Sequence, residues 1–276
     1  MPIEFHKMHG AGNDFVLIDA RSADFDLDAR TAGRIADRHF GVGCDQILVL
    51  REARDPANRA RYEIRNADGS PAGQCGNGAR CIALYLDLHD GGDGSRYTVE
   101  SPSGVVSMQS CRDGEFEVDM GVPRFAAEQV PLTLPDESGR YRLDSPWGSL
   151  EFGAVSMGNP HAVLTITDIQ DSRLASIGAF IGSHEVFPEG CNVGFAQIEH
   201  AGRIRLRVVE RGAGETLACG SGACAAVAVL ARDGRVGQSV EVLLPGGRLV
   251  IKWPGIGDPV TMKGPAHYVF RGTMNE

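Results

Sequence analysis

No apolar run in this chain approaches the roughly 20 residues needed to cross a bilayer. The opening Met1-Pro2-Ile3-Glu4-Phe5 has neither the basic region nor the apolar stretch of a secretory signal. Basic residues are outnumbered and scattered: 27 Lys and Arg stand against 36 Asp and Glu, for a net charge of −9. That balance argues against nucleic acid and anionic membrane surfaces as partners. There is no C-x-x-C. The close pairs Cys75/Cys81 and Cys219/Cys224, six and five residues apart, fall on different faces of a helix, which excludes a shared metal or a local bridge. His6 and His9, the nearest approach to a ligand pair, read as incidental spacing, so no metal is expected. Also missing are a G-x-G-x-x-G behind a strand and a G-K-[ST], which disfavours a nucleotide cofactor. These absences describe a cytoplasmic chain whose partner is a small molecule.

What the chain does have is glycine, cysteine and enough apolar residues for a sizeable core: 36 glycines, seven cysteines and 42% apolar content in 276 residues. An odd number of cysteines fits a reducing compartment. Two of them sit in near-identical segments, Cys75-Gly76-Asn77-Gly78-Ala79 and Cys219-Gly220-Ser221-Gly222-Ala223, each followed by an apolar run suited to a helix. A thiol at a helix start is pushed toward thiolate by the dipole and the free N–H groups. Glycine-rich turns let backbone N–H groups approach a ligand, and helix N-termini favour a carboxylate. Two such turns could hold one carboxylate and flank the adjacent carbon with two sulfurs, one a thiolate base and the other a thiol acid. That chemistry inverts a stereocentre. Cys44, Cys81, Cys111, Cys191 and Cys224 read as inert core cysteines.

Strand patterns dominate the rest. Glu115 to Met120 and Arg203 to Val208 alternate with period two. Hairpins are expected for Tyr97 to Met108 around Ser101-Pro102-Ser103-Gly104, and for Val240 to Trp253 around Pro245-Gly246-Gly247. Helices are expected over Asp28–Phe40, capped by Asp28, over Ala79–Leu88 and over Ala223–Ala231. Four prolines between Gly121 and Gly148 mark a boundary between halves, and the cysteine motifs lie 144 residues apart, close to half the chain. The reading is an α+β protein of two similar lobes with a cleft between them. Amides and charges gather in four further segments: Gly10-Ala11-Gly12-Asn13-Asp14-Phe15, Gly158-Asn159-Pro160-His161, Gly190-Cys191-Asn192-Val193-Gly194, and Glu210-Arg211 before Gly212-Ala213-Gly214-Glu215-Thr216. Taken singly, each is ordinary turn composition.

Together these motifs resemble those of the diaminopimelate epimerase family. The resemblance is carried by His9 to Phe15, by Gly41-Val42-Gly43-Cys44-Asp45-Gln46, and by Asn66-Ala67-Asp68-Gly69-Ser70 leading to Gln74-Cys75-Gly76-Asn77-Gly78-Ala79-Arg80-Cys81. It continues through Gly158 to His161, Asn192-Val193-Gly194-Phe195 and the block Glu210 to Cys224. The stretch 125–143 matches none of the family's motifs. The resemblance implies a cofactor-independent epimerase, a homodimer, interconverting LL- and meso-2,6-diaminopimelate on the route to lysine and peptidoglycan. It implies two pseudo-symmetric lobes, each a mostly antiparallel sheet wrapped around a central helix, over residues 1–120 joined by 265–276 and over 121–264. Cys75 and Cys219 would be the acid/base pair, donor and acceptor for one direction. The backbone of Gly76, Asn77, Gly220 and Ser221 would hold the reacting carboxylate. Asn13, Gln46, Asn66, Asn159, Asn192, Glu210 and Arg211 would line the remaining pocket, with Arg211 on the distal carboxylate. His161 and Glu210 would tune the cysteines.

An amino-acid α-proton is far less acidic than a thiol, and no lysine stands in a Schiff-base context near these motifs. The carbanion must then be stabilised by electrostatics in a closed, dry site. Lobe closure and sensitivity of the thiols to oxidation or alkylation follow. Three other readings compete. A proline or hydroxyproline type two-cysteine racemase would need no second carboxylate clamp, which Arg211, Asn66 and Asn192 supply here. A thiol-redox protein would join Cys75 to Cys219. A non-catalytic diaminopimelate-binding protein would not require both sulfurs.

Overall fold

The period-two stretches become strands, and the apolar runs behind both cysteine turns become buried helices. A computed structural model describes residues 2–23, 25–73, 75–111, 113–135 and 139–275. Gln74 of the first cysteine motif and 136–138 of the 125–143 stretch lie outside the described residues. The chain divides into two compact units, Met1–Asp119 with Lys263–Glu276, and Met120–Met262.

In the first unit β1 (Ile3–Gly10), β2 (Asn13–Asp19), α1 (Ala29–Ala36), β3 (Gln46–Arg51) and β4 (Arg61–Asn66) are followed by α2 (Gly76–Asp90), β5 (Arg96–Ser101), β6 (Gly104–Ser110) and β7 (Glu115–Asp119). β1 pairs antiparallel with β2, β2 parallel with β3, β3 antiparallel with β4, β4 parallel with β5, and β5 antiparallel with β6. In the second unit β8 (Tyr141–Ser145) and β9 (Gly148–Ser156) lead to β10 (Pro160–Thr165), α3 (Leu174–Gly182), β11 (Asn192–His200) and β12 (Arg203–Glu210). β13 (Gly214–Thr216), α4 (Gly220–Arg232), β14 (Ser239–Leu244) and β15 (Gly247–Lys252) follow, and β16 (Thr261–Pro265) leads into β17 (His267–Met274), which pairs antiparallel with β1. From β9 through β10, β11, β12 and β14 to β15 the same succession recurs: antiparallel, parallel, antiparallel, parallel, antiparallel. α1 and α3 occupy equivalent crossovers in the two units, and so do α2 and α4. The duplication signalled by the motif spacing is therefore present in the topology, in a mixed α+β fold with antiparallel pairing prevailing.

α2 packs against β1, β3, β6, β7 and β17 of its own unit, and α4 against β9, β10, β11, β12 and β15. α4 is apolar all round, and Ala223 to Leu230 are wholly buried. A helix without a polar face can be stable only when enclosed in this way. The 125–143 stretch contributes Val130, Leu132, Tyr141 and Leu143 to the core that lies beneath α3.

α2 and α4 each begin three residues before the expected starts at Ala79 and Ala223, and two further elements differ more from the sequence reading. The first helix stops at Ala36 instead of reaching Phe40, although Asp28 caps it as expected, accepting from Thr31 N–H at 2.7 Å. Asp37 is extended, and its carboxylate accepts from the N–H groups of His39 and Phe40 at 2.7 and 2.9 Å. That local bonding competes with the helix. α3 was not anticipated; its nine residues include a nearly unbroken apolar series, and its N-cap position, Arg173, offers no side-chain bond.

The seating of α4 on β9 leaves no room at Gly153, where a methyl group would lie 2.4 Å from Val229 Cγ1. Gly153→Ala is expected to destabilise the protein by about 1–3 kcal/mol through overpacking. Adding Val229→Ala should recover part of that loss. Thermal midpoints of the single and double variants check this, and equal midpoints for Gly153→Ala and the unaltered protein would refute the packing.

Candidate active site

Each cysteine of the repeated motif is the N-cap of its helix. Cys75 (φ −134°, ψ 105°) and Cys219 (φ −120°, ψ 109°) are extended, and each sulfur accepts the N–H of the third helical residue, Gly78 or Gly222, at 3.4 Å. The first-turn N–H groups of a helix have no acceptor within it, and here sulfur takes the place usually held by a hydroxyl or carboxylate oxygen. Glycine at that third position lets the turn lie on the neighbouring strand. A Cβ on Gly222 would be 3.1 Å from Val208 Cγ2, and one on Gly78 would be 3.2 Å from Leu48 Cδ2.

The described groups at Cys75 include two neutral amides, Asn13 and Asn77. Its Sγ lies 3.7 Å from Asn13 Oδ1, which also accepts from Asn77 Nδ2 at 3.2 Å. Asn13 Nδ2 donates to Asp45 Oδ2 at 2.8 Å. Asp45 is held in turn by Arg38 (2.7 Å) and by the backbone N–H of Asp14 (3.1 Å). Burial works to raise the Asp14 pKa, but hydrogen bonds from Arg38 and Lys7 prevail and hold it at about 2. Gln46 and Asn66, opposite one another in the β3–β4 register, are joined by a 3.0 Å bond from Gln46 Nε2 to Asn66 Oδ1. Asn77 Oδ1 accepts at 2.8 Å from Arg80, a wholly buried arginine that also donates to the carbonyl of Pro265.

The surroundings of Cys219 are anionic. Its thiol donates to Glu210 Oε2 at 3.0 Å, while Thr216 Oγ donates to Glu210 Oε1 at 2.5 Å, and Ser221 Oγ lies 3.5 Å from the sulfur. Burial and then the Glu210 carboxylate push the Cys219 pKa well above that of an ordinary thiol, and the bonds from Ser221 and Gly222 only partly oppose them. This corrects the expectation that the helix start would favour thiolate, because Cys219 is 4% exposed and has a carboxylate at hydrogen-bonding distance. His161 is 1% exposed and bonds through Nε2 to Asn159 Oδ1 at 3.1 Å. Burial, with a smaller contribution from Arg211, depresses its pKa to about 3, so the ring is neutral at working pH. Arg211 donates its backbone N–H to Asn192 Oδ1 at 2.9 Å, and its guanidinium donates to the carbonyl of Glu189 at 2.6 Å.

The repeated topology puts these side chains at equivalent places. Asn13 and Asn159 each stand two residues before a partner in a parallel pair, Phe15↔Gln46 in one unit and His161↔Asn192 in the other. Asn66 and Glu210 end the next strands, and Cys75 and Cys219 open the helices behind them. In the first unit the structure brings Asn13, Asn77 and Cys75 into contact, and links Gln46 with Asn66. In the second it joins Glu210 to Cys219, Asn159 to His161, and Asn192 to Arg211. Of the two residues expected to tune the cysteines, Glu210 touches a thiol while His161 bonds Asn159. Gly76 and Gly220 are the first residues of their helices.

Asp45, Arg80 and Thr216 were not singled out from sequence, although all three lie inside quoted motifs. A lone arginine in the apolar α2 was the available signal for Arg80. Thr216 is brought back to Glu210 only by the β12–β13 hairpin, whose register sets it opposite Val208. Of the five cysteines read as core, Cys44, Cys81, Cys191 and Cys224 are buried, whereas Cys111, next to the β6–β7 turn, is partly exposed. No described helix is long and apolar enough to cross a membrane.

The fold is shared with epimerases and racemases. A solved hydroxyproline epimerase from Agrobacterium vitis matches with a TM-score of 0.73 over 99% of this chain and 92% of that one, at 16% identity. A probable proline racemase from Agrobacterium radiobacter matches with a TM-score of 0.71 over 99% and 93%, at 18% identity. At these identities the likeness is one of fold. Sequence narrows the class: the model of the diaminopimelate epimerase family matches residues 5–126 and 153–269. A diaminopimelate epimerase of Xanthomonas axonopodis pv. citri is 47% identical over 274 residues, 99% of this chain and 96% of its own length. One of Xylella fastidiosa is 49% identical over 273 residues, 98% and 96% of the two chains. The chain belongs to the diaminopimelate epimerase family.

The Glu210 contact makes the reactivity of Cys219 sensitive to one carboxylate. In Glu210→Gln the like-charge repulsion is gone, so the thiol ionises at lower pH. Alkylation at Cys219, followed by peptide mass spectrometry across pH, is expected to shift downward and to quicken about threefold or more at neutral pH. A profile unmoved by the substitution would refute the electrostatic coupling.

Proposed function

We propose that the chain interconverts LL- and meso-2,6-diaminopimelate without a cofactor, using Cys75 and Cys219 as its two proton-transfer groups. The observation that carries this reading is that both cysteines cap equivalent helices of a duplicated fold, in a chain close to half identical to relatives that bear the epimerase name. A non-catalytic binding protein has no need of two such matched thiols. The first-turn N–H groups at Gly76, Asn77, Gly220 and Ser221 suit the carboxylate next to the reacting carbon. Arg211, whose guanidinium is a planar donor, suits the distal one. Asn13, Gln46, Asn66, Asn159 and Asn192 complete the polar lining in this reading.

In this reading the thiol–carboxylate bond of Cys219 gives a thiol disfavoured as thiolate a way to serve as the base. The proton moves from Sγ to Glu210 Oε2 along the 3.0 Å bond, leaving a thiolate beside a neutral acid, so the net charge of the pair does not change. The thiolate takes the α-proton. Cys75, whose sulfur faces an acceptor oxygen on Asn13, supplies a proton to the opposite face. In the reverse direction the roles exchange. Neutral His161 keeps the Asn159 amide in place and adds no charge near the carbanion. A cytoplasmic homodimer is part of the same proposal, on the strength of the family resemblance; sedimentation of the purified protein tests the dimer.

Incubation of LL-diaminopimelate with reduced protein in D2O should give deuterium at the α-carbon and the meso isomer together. Absence of both would refute the activity. Cys75→Ala and Cys219→Ala should each reduce epimerisation by at least about a hundredfold, the usual scale for losing one general acid or base. Wild-type turnover in either variant would refute the two-base assignment.

A further inference from the structure

The Asn13 amide next to Cys75 could in principle face the sulfur with its oxygen, which accepts a thiol proton, or with its nitrogen, which donates to a thiolate. The two ends of a hydrogen-bonded chain decide which. At one end Arg80, a donor only, bonds Asn77 Oδ1 at 2.8 Å, so Asn77 must present its Nδ2 to Asn13 Oδ1, 3.2 Å away. At the other end the Asp45 carboxylate, an acceptor, takes Asn13 Nδ2 at 2.8 Å. Asp45 is itself immobilised by Arg38 at 2.7 Å, by the Asp14 N–H at 3.1 Å, and through its own N–H, which donates to Asp14 Oδ1 at 3.0 Å. Asn13 Oδ1 is thereby left toward Cys75 Sγ, at 3.7 Å.

We propose that Asp45 is a positioning residue for Cys75, acting through Asn13: it fixes the amide so that an acceptor oxygen, and not an N–H, faces the thiol. The proposal rests on the functional reading only for its consequence, which is that Cys75 is kept as the proton-bearing member of the pair. Among the described titratable groups, Tyr62 and Cys81 act with Cys75; both are buried and pushed upward by that burial, so neither is charged near neutral pH. Arg38 and the Asp14 N–H bond the Asp45 carboxylate, and Lys7 bonds Asp14.

Cys75 alkylation by iodoacetamide, measured by peptide mass spectrometry across pH, tests this without substrate. In Asp45→Asn the acceptor end of the chain no longer dictates direction and only Asn77 still holds the amide, so Asn13 presents its N–H to the sulfur in a fraction of the molecules and the profile should move to lower pH. A shift of about one unit quickens the reaction about threefold at pH 7, because a larger thiolate fraction outweighs its lower nucleophilicity. Asp45→Glu, which keeps the acceptor, should restore the wild-type profile. Loss of the Asp45 charge alone would move the profile equally with or without the amide. The cycle with Asn13→Ala separates the two, since Asp45→Asn should add nothing on that background. An unmoved profile, or an equal shift in both backgrounds, overturns the proposal. Asp45→Ser is read the same way should Asp45→Asn not fold, and an unaltered Cys219 profile reports the integrity of the fold. Because no epimerisation is measured, loss of the functional reading in the D2O experiment would leave this result standing, and the converse also holds.

Discussion

A helix that begins inside a protein must satisfy N–H groups that its own carbonyls cannot reach, and in this chain sulfur takes on that task twice. Cys75 and Cys219 each accept the N–H of the third helical residue, and the glycines around them bring the first turn onto the adjoining strand. One arrangement thus serves both structure and chemistry. It ties the thiol to the helix start, limits its rotation, and places it among N–H groups suited to a carboxylate. α4, apolar on every side, can begin where it does because its cap is compact and largely buried.

The duplicated topology gives both cysteines the same frame, yet the two thiols have different neighbours. Where the first unit ends β4 with Asn66, the second ends β12 with Glu210. The first thiol faces an amide oxygen and the second a carboxylate. A carboxylate 3.0 Å from a buried thiol opposes thiolate formation, but it also offers a place for the thiol proton. The difference comes from different positions of the repeat: Asn13, which opens β2, faces the first thiol, and Glu210, which ends β12, faces the second. The neutral state of His161 fits the same logic, since an imidazolium there would be a further buried charge, disfavoured by its desolvation and by Arg211.

The parts of the site legible in sequence were those set by neighbours along the chain. Cysteine, glycine and a following apolar run announce a capped helix locally, and Asp28 announced another. Contacts made through strand register were not legible. Thr216 reaches Glu210 by a hairpin pairing, and Asp45 reaches Asn13 across the parallel β2–β3 edge, where nothing in local composition marks the partner. Burial was the other hidden quantity. The helix dipole predicts a more acidic Cys219, and only its near-complete enclosure beside Glu210 reverses the sign. The overlong first helix had the same origin as the correct cap at its start, for Asp37 bonds backbone N–H groups just as Asp28 does, but at the end where this stops the helix.

Orientation accounts for the unequal number of supporting residues in the two units. A carboxylate presents equivalent oxygens whichever way it turns, so Glu210 needs only the hydroxyl of Thr216 on one oxygen to direct the other to Cys219. An amide has a donor end and an acceptor end, and the wrong choice would reverse its effect on the thiol. The first unit accordingly carries a longer chain, ending in groups that cannot reverse: a guanidinium that only donates and a carboxylate that accepts. Arg80 lies wholly buried in this chain, with its charge close to the backbone of Pro265 and the Asn77 amide. Desolvating a guanidinium is costly, and a neutral side chain could fill the same space. A fixed donor at that point gives the Asn77 and Asn13 amides a single direction, which a neutral side chain lacking N–H groups could not do.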